Sequence, residues 1–380
     1  MKNLKIIGIT GTNGKTTTAF LIYHLLKKIG QKTSLIGTIK YIIGPKAYKA
    51  RLTTPGFVEM GEIFKKIKES ESDFVVIEVS SHGLVQGRVK GLKFSRCLFT
   101  NLSRDHLDYH KTMKNYFNAK KKLFFSQKNL ISFINIDDSY GKKIAKGLNK
   151  AFSFAIKASA DFKAENISLR KNGSCFEIES SSERYKIKTR LCGRYNILNI
   201  LGAVSLVSSL GFPLSKVVKA VNSFKPPLGR LEPVAKDLFV DYAHTPDALN
   251  NTLGNLRESG YEKIVCLFGC GGDRDKGKRS LMGQVASLKA DFTFITSDNP
   301  RSEDLLKICS QIEKGFKNKN YLVVVDRYKA IGLAIKFFLK NKSNNSCLLI
   351  AGKGHEDYQI IKDKRIPFSD KRIVKQFLKR

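Results

Sequence analysis

Near its start the chain runs Ile7-Gly-Ile-Thr-Gly-Thr-Asn-Gly-Lys-Thr-Thr-Thr18, an apolar run, then a glycine turn, then an amphipathic stretch opening at Lys15. A strand feeding a helix through so tight a turn commits the chain to an α/β architecture. Gly11 and Gly14 let the backbone curl until successive N–H groups face one concavity, a cradle for a polyphosphate. Lys15 reaches the terminal phosphates as a point charge, and Thr16, followed by Thr17, offers a hydroxyl to Mg2+. The general phosphate-loop spacing has a further glycine at the position of Ile9; here the glycine stands at Gly11 instead.

Short β-branched runs alternate with helix-length segments along the rest of the chain, the pattern of parallel sheets flanked by helices. Strands are expected at Leu4–Ile9, Phe74–Val79, Cys97–Thr100 and Leu130–Ile136, and helices at Lys15–Ile29, Thr112–Phe125 and Ile197–Leu210. A small antiparallel insert is expected between about Ala160 and Leu191. Lys225–Pro233 holds three of the nine prolines and reads as a hinge. Beyond it, strands are expected at Phe239–Tyr242, Ile264–Phe268, Phe292–Thr296, Leu322–Val325 and Leu348–Ala351. The fold class is therefore α/β, with a phosphate-loop ATPase-like domain over residues 1–227 and a Rossmann-like, doubly wound domain over residues 228–380.

A formal net charge of +35 on 380 residues raises the question of nucleic acid or a membrane surface. The lysines are spread along the whole length and outnumber the arginines, which base and phosphate recognition favours. The charge reads as a solvated lysine-rich surface that also attracts small anionic substrates, with no nucleic-acid partner. Seven cysteines without a CxxC pair, three of them (Cys97, Cys266, Cys347) inside apolar runs, point to buried thiols in a reducing compartment. There is no signal-peptide core and no run approaching a membrane span, so a cytoplasmic protein without membrane insertion is expected.

Glu78 closes the apolar strand and leads into Ser80-Ser-His-Gly-Leu-Val-Gln-Gly-Arg88. A carboxylate at the carboxyl end of a parallel strand faces the crevice where ligands bind. His106, just past another strand end, joins it as a candidate ligand for a second Mg2+. In the following helix Met113, Phe117 and Phe124 share one face, and Lys120 lies on that same face while Lys122 points away. A charged lysine turned inward is costly. Either it snorkels to solvent, or its neutral amine takes up CO2 as a carbamate, an acidic oxygen ligand.

Three loops in the second half each follow an apolar strand: Phe268–Arg279, Ser297–Glu303 and Ala351–Gln359. Arg274 and Arg301 suit carboxylates and Glu356 suits an ammonium, a mixture matched to a zwitterionic head.

The run Asn101-Leu-Ser-Arg-Asp-His106 followed by Tyr116-Phe-Asn-Ala-Lys120, together with the phosphate loop, resembles the Mur ligases over essentially the whole chain. The resemblance implies an ATP-dependent, peptidoglycan-building amide ligase using two Mg2+ ions. It assigns Gly11, Thr12, Asn13, Gly14, Lys15, Thr16 and Thr17 to ATP, and Thr16, Glu78, His106 and a carbamylated Lys120 to the metals, with Lys15, Glu78, His106 and Lys120 catalytic. Asn196, Asn199, Asp241, Tyr242 and His244 resemble the adenosine-side residues, and Arg230 the arginine that meets ATP phosphates. Thr53, Thr54, Ser80, Gln86 and Arg88 match segments that hold UDP-MurNAc-L-Ala-D-Glu. Asp298-Asn-Pro-Arg301 is similar to the motif of diaminopimelate-adding members, so Arg274, Asp298, Asn299, Pro300, Arg301, Gly352 and Glu356 are assigned to meso-diaminopimelate.

Full-length members of that family place a UDP-binding domain of roughly 100 residues, an ordinary domain size, before the phosphate loop. Here the loop follows Met1 within one strand, so a fragment, a reduced form, or a separately encoded UDP-binding partner is expected, working with a monomeric ligase. The alternatives are a folylpolyglutamate synthetase-like ligase and a non-catalytic nucleotide-binding remnant.

Overall fold

The computed structural model describes residues 4–180 and 183–379. The chain forms two compact units: one comprises residues up to Ser103 with His110–Lys225, the other Arg104–Tyr109 with the chain from Pro226 onward. The changeover thus falls among the prolines after Lys225, and six residues far upstream fold with the second unit.

The strands of the first unit are β1 (Lys5–Thr10), β2 (Thr33–Ile36), β3 (Lys40–Ile43), β4 (Lys46–Lys49), β5 (Phe74–Glu78) and β6 (Phe94–Phe99). They continue as β7 (Ile131–Asn135), β8 (Ala151–Ala155), β9 (Phe162–Arg170), β10 (Gly173–Ser180) and β11 (Glu183–Thr189). Among the described residues these make one sheet in the order β11-β10-β9-β8-β7-β6-β1-β5-β2-β3-β4. It is parallel from β9 through β1 to β2 and antiparallel at both margins.

Strands β1 and β5 are apolar on both faces because helices cover them: Ile7, Ile9 and Val76 pack with Leu21, Ile22 and Leu25 of the helix Lys15–Lys28. Ile197, Ile200 and Val204 of the helix Arg194–Ser208 complete that core. The expected antiparallel insert is the β9–β11 meander. No element was expected between Ile29 and Phe74, yet β2, β3, β4 and the helix Phe57–Glu69 lie there. Strand β4 is exposed throughout, and its Lys46 and Lys49 blunt the sheet edge.

In the second unit β12 (Glu232–Ala235), β13 (Leu238–Val240), β14 (Lys263–Phe268), β15 (Phe292–Ile295), β16 (Tyr321–Val323) and β17 (Ser346–Ile350) pair in the order β12-β13-β17-β14-β15-β16. All pairs are parallel except β12 with β13. A separate hairpin joins β18 (Tyr358–Ile361) to β19 (Lys364–Pro367). Arg327 and Asp370, both fully buried, form a two-pronged ion pair with 2.8 Å bonds. The same guanidinium donates to Ser297 O and Ala351 O, anchoring the loops after β15 and β17.

Cys97, Cys266 and Cys347 are buried free thiols, and burial pushes the Cys266 thiol up to about 12. Among the described residues no helix is long and apolar enough to cross a membrane.

Candidate functional site

In the first unit β1 lies between β5 and β6, so the chain passes over it, and three adjacent strand ends open one crevice. The loop after β1 is tied to the segment after β6 by reciprocal bonds. Asn13 N donates to Asn101 Oδ1 at 2.9 Å, and Asn101 Nδ2 and Thr100 Oγ1 donate back to Asn13 O. Thr12 N donates to Asn101 O, and Ser103 N donates to Thr12 Oγ1. Gly14 opens the helix at φ 85°, and a Cβ there would lie 2.3 Å from Asn199 Oδ1. That position therefore requires glycine on both conformational and steric grounds. Asn199 is held in turn by Asn196, whose Nδ2 donates to Cys192 O. Both asparagines, assigned from the sequence to ATP, thus back the phosphate loop.

Lys15 Nζ donates to Gly11 O at 2.9 Å and to Thr12 O at 2.8 Å, curling over its own loop. Lys120 Nζ donates to the same Gly11 carbonyl at 2.7 Å, from 109 residues away. The inward placement read from helical spacing is found: Lys120 is 1% exposed, its amine 4.6 Å from the Tyr116 ring centre, while Lys122 is exposed. Two amines therefore converge on the one loop whose geometry suits an anion. The helix itself is shorter than expected, Met113–Lys121: Thr112 is its cap, accepting from Asn115 N, and after Lys121 the chain tightens into turns with Leu123 N on Lys120 O and Phe124 N on Lys121 O.

Glu78 ends β5 fully buried. Its carboxylate accepts from Thr16 Oγ1, Thr38 Oγ1 and Thr38 N, each at 2.9 Å. All three donors are neutral, and among the described residues no basic side chain forms an ion pair with Glu78. A buried carboxylate without a counter-charge beside the phosphate-loop hydroxyl fits a divalent cation. Glu78 and Thr16 could hold one within the first unit, and Lys120 sits on the same loop. Thr38 escaped the sequence reading; it lies 40 residues from Glu78 in a stretch assigned no strand.

Thr54 Oγ1 donates to Glu78 O and lies 3.1 Å from Ser80 Oγ, whose hydroxyl can donate to it, and Arg88 donates to Thr54 O and to Gln86 Oε1. Thr53 Oγ1 lies 3.1 Å from Thr38 Oγ1 and is the donor of that pair, because the Thr38 proton goes to Glu78. The five residues assigned to the acceptor substrate thus form one patch continuous with Glu78.

His106 falls in the other unit, so it does not pair with Glu78 within either. Its backbone is left-handed, φ 55°, and its Nε2 lies 3.3 Å from Asp105 Oδ2. Burial opposes ionisation of Asp105, but His106, Lys278 and His244 together outweigh it and hold the carboxyl well below the usual range. His244 Nδ1 donates to Tyr242 O at 2.7 Å. Arg230 lies over the Tyr242 ring at 4.8 Å. Asp241 accepts from Leu231 N and Ala243 N, yet burial raises its pKa against Arg230 and those N–H groups. Arg230, Asp241, Tyr242 and His244 are thereby one cluster at the end of β13.

The loops after β14, β15 and β17 stand at neighbouring strand ends, since β14 lies between the other two. Arg301 NH1 donates to Gly272 O at 2.7 Å, and its backbone is left-handed at φ 53°. Burial and then Arg274 lower the Arg301 pKa, which places the two guanidiniums in one field. Asn299 Nδ2 donates to Glu356 Oε2 at 3.0 Å. Gly352, at φ 108°, leaves room for Asp298, whose Oδ2 would lie 2.9 Å from a Cβ there. Pro300 O crowds Gly272 in the same way, at 1.8 Å from a Cβ. All seven residues assigned to the amino acid belong to this loop cluster.

Arg279 and Glu303 were not singled out, yet they brace it. Fully buried Arg279 donates to both Glu303 oxygens at 2.8 and 2.9 Å and to Gly271 O, while Glu303 accepts from Asp273 N. The Arg279 bond takes the Glu303 carboxyl from 4.5 down to about 2. A depressed carboxyl contributes stability that is complete above its unfolded value and lost as pH falls through the folded one. Acid titration followed by proteolysis of the loop at 269–276 should therefore show full protection above pH 4.5 and opening toward pH 2. In Arg279→Met the opening should begin at higher pH; an unchanged profile would remove the brace.

Residues 9–207 match the family model "Mur ligase middle domain" and residues 229–354 match "Mur ligase, glutamate ligase domain". The chain is 43% identical over 385 aligned residues to the UDP-N-acetylmuramoyl-L-alanyl-D-glutamate–2,6-diaminopimelate ligase of Clostridium botulinum, covering all of this chain and 78% of that protein. A solved structure described by the same enzyme name superimposes with TM-score 0.68 at 34% identity, over 100% of this chain and 79% of that one. The folylpolyglutamate synthase of Mycobacterium tuberculosis superimposes with TM-score 0.74 at 15% identity, over 92% of this chain and 89% of its own, a likeness of fold alone.

Proposed function

The chain belongs to the Mur ligase family, a family of ATP- and magnesium-dependent ligases, and from there we propose that it joins meso-diaminopimelate to UDP-MurNAc-L-Ala-D-Glu. The observation that carries this reading is the convergence of Lys15 and Lys120 on Gly11 O, beside the buried Glu78–Thr16 pair. That arrangement suits phosphoryl transfer, in which catalysis is mostly positioning and charge stabilisation.

ATP lies with its phosphates against the N–H groups at the helix start at Lys15, since those of Thr12 and Asn13 are turned to Asn101. Transfer of the γ-phosphate to the D-glutamyl γ-carboxylate gives an acyl phosphate and ADP. The amine of the incoming amino acid then attacks the acyl carbon, losing a proton, and phosphate leaves. Lys15 offsets charge on the moving phosphoryl group, moving from the Gly11 and Thr12 carbonyls to phosphate oxygens. Thr16 and Glu78 would hold Mg2+, which would neutralise phosphate charge. Lys120 is the site of the carbamate: its amine is buried, as a group that gives up its charge to CO2 should be. His106 would be a ligand of a second ion in this reading. Thr53, Thr54, Ser80, Gln86 and Arg88 orient the acceptor peptide next to Glu78. In the second unit Arg274 and Arg301 receive the distal carboxylate of diaminopimelate, and Asp298 and Glu356 its ammonium.

The test is ligation with UDP-MurNAc-L-Ala-D-Glu and ATP, offering diaminopimelate and L-lysine in parallel. The expected result is a diaminopimelate-containing tripeptide product, one phosphate released per bond, and at least ten times less product with lysine, about the worth of one lost charged contact. Equal use of lysine, or ligation of glutamate to a folate instead, would overturn the reading.

A further inference from the structure

Lys353 is completely buried, and its amine lies among residues assigned to the incoming amino acid. Gly352 and Gly354 bracket it with left-handed φ of 108° and 53°, and this backbone twist turns the side chain inward. Lys353 Nζ donates to Glu356 Oε2 at 2.9 Å and to Asn299 Oδ1 at 3.1 Å, with the Tyr358 ring centre 5.5 Å away. Asn299 closes the triangle: its Nδ2 donates to the same Glu356 Oε2, and its Oδ1 also accepts from Ile360 N.

Glu356 thus spends Oε2 on two donors inside the protein, and its Oε1 accepts no hydrogen bond among the described residues. The triangle fixes the carboxylate plane, because two donors from different directions meet one oxygen. It also sets the charge balance. Arg301 lies in the field of both Asp298 and Glu356, and Lys353 already compensates part of the Glu356 charge through Oε2.

Resting on the function proposed above, we propose that Lys353 is a positioning residue for amino-acid selection, aiming Oε1 of Glu356 at the substrate ammonium and disfavouring a substrate that brings positive charge alone. A zwitterionic head satisfies Oε1 and the arginines together, whereas a bare ammonium satisfies only the first. Removing Lys353 leaves Glu356 more negative and less oriented, which weakens the zwitterion and favours the lone cation.

Lys353→Met, Glu356→Gln and the double variant, assayed in the full chain, test this. In Lys353→Met the KM for diaminopimelate should rise at least tenfold, with kcat within threefold and the KM for ATP unchanged. The kcat/KM preference for diaminopimelate over lysine should fall at least tenfold. On the Glu356→Gln background the same substitution should change the diaminopimelate KM less than twofold, since Lys353 acts through that carboxylate. An unchanged KM and preference in Lys353→Met overturns the proposal. So does a rise in the ATP KM alongside, or an undiminished effect in the double variant. A wild-type chain that fails to ligate diaminopimelate overturns the function itself, a result separable from these.

Discussion

Lys120→Ala is expected to lower ATP-dependent ligation by about 10³-fold, with partial recovery when a short-chain carboxylic acid is added. The phosphate loop should survive the change, because Lys15 keeps both of its own carbonyl partners and the Asn13–Asn101–Thr100 bonds do not involve Lys120. Loss of the side chain empties a buried space beside Gly11, large enough for a small carboxylate. Recovery by acetate or propionate, measured as phosphate release, distinguishes an acidic oxygen from an ammonium at this position. Recovery by a short alkylamine instead would assign the role to the free amine. Wild-type turnover in Lys120→Ala would remove the residue from the mechanism.

Glu78→Gln should cost nearly as much, about 10²–10³-fold in kcat, through loss of the metal and not through misfolding. The two Glu78 oxygens now accept three hydrogen bonds. A glutamine can keep its oxygen on Thr38 N, which cannot reverse, while its amide N–H groups face the hydroxyls of Thr16 and Thr38, which can rotate to accept. The local network is thereby retained and the charge alone is lost. Mn2+ binding, followed by its paramagnetic resonance with ATP present, should weaken by more than tenfold while the melting temperature stays within a few degrees. Unaltered Mn2+ affinity would show that Glu78 is not the ligand.

Much of this was legible along the chain, and the reasons are local. A strand, two glycines and a threonine-rich helix start state the phosphate loop within a dozen positions. The alternation of buried runs predicted a parallel sheet in each half, and helical spacing alone turned Lys120 inward. Strand β4, exposed throughout, carries no such period, and the alternation of β3 spans only four residues; both were missed. So was Thr38, whose importance rests wholly on what it touches.

The sequence by itself therefore determined the fold class, the phosphate loop and the loops rich in charge, because each is written in neighbours a few residues apart. Tertiary structure alone decided which charges meet: Lys120 with Gly11 across 109 residues, Lys353 with Asn299 across 54, and Asp105 with His244 and Lys278. It also decided that Arg104–Tyr109 folds with the second unit and not with its chain neighbours. A backbone period reports which way a side chain faces, whereas the partner it meets there is set by the order in which strands assemble, and no local pattern records that order.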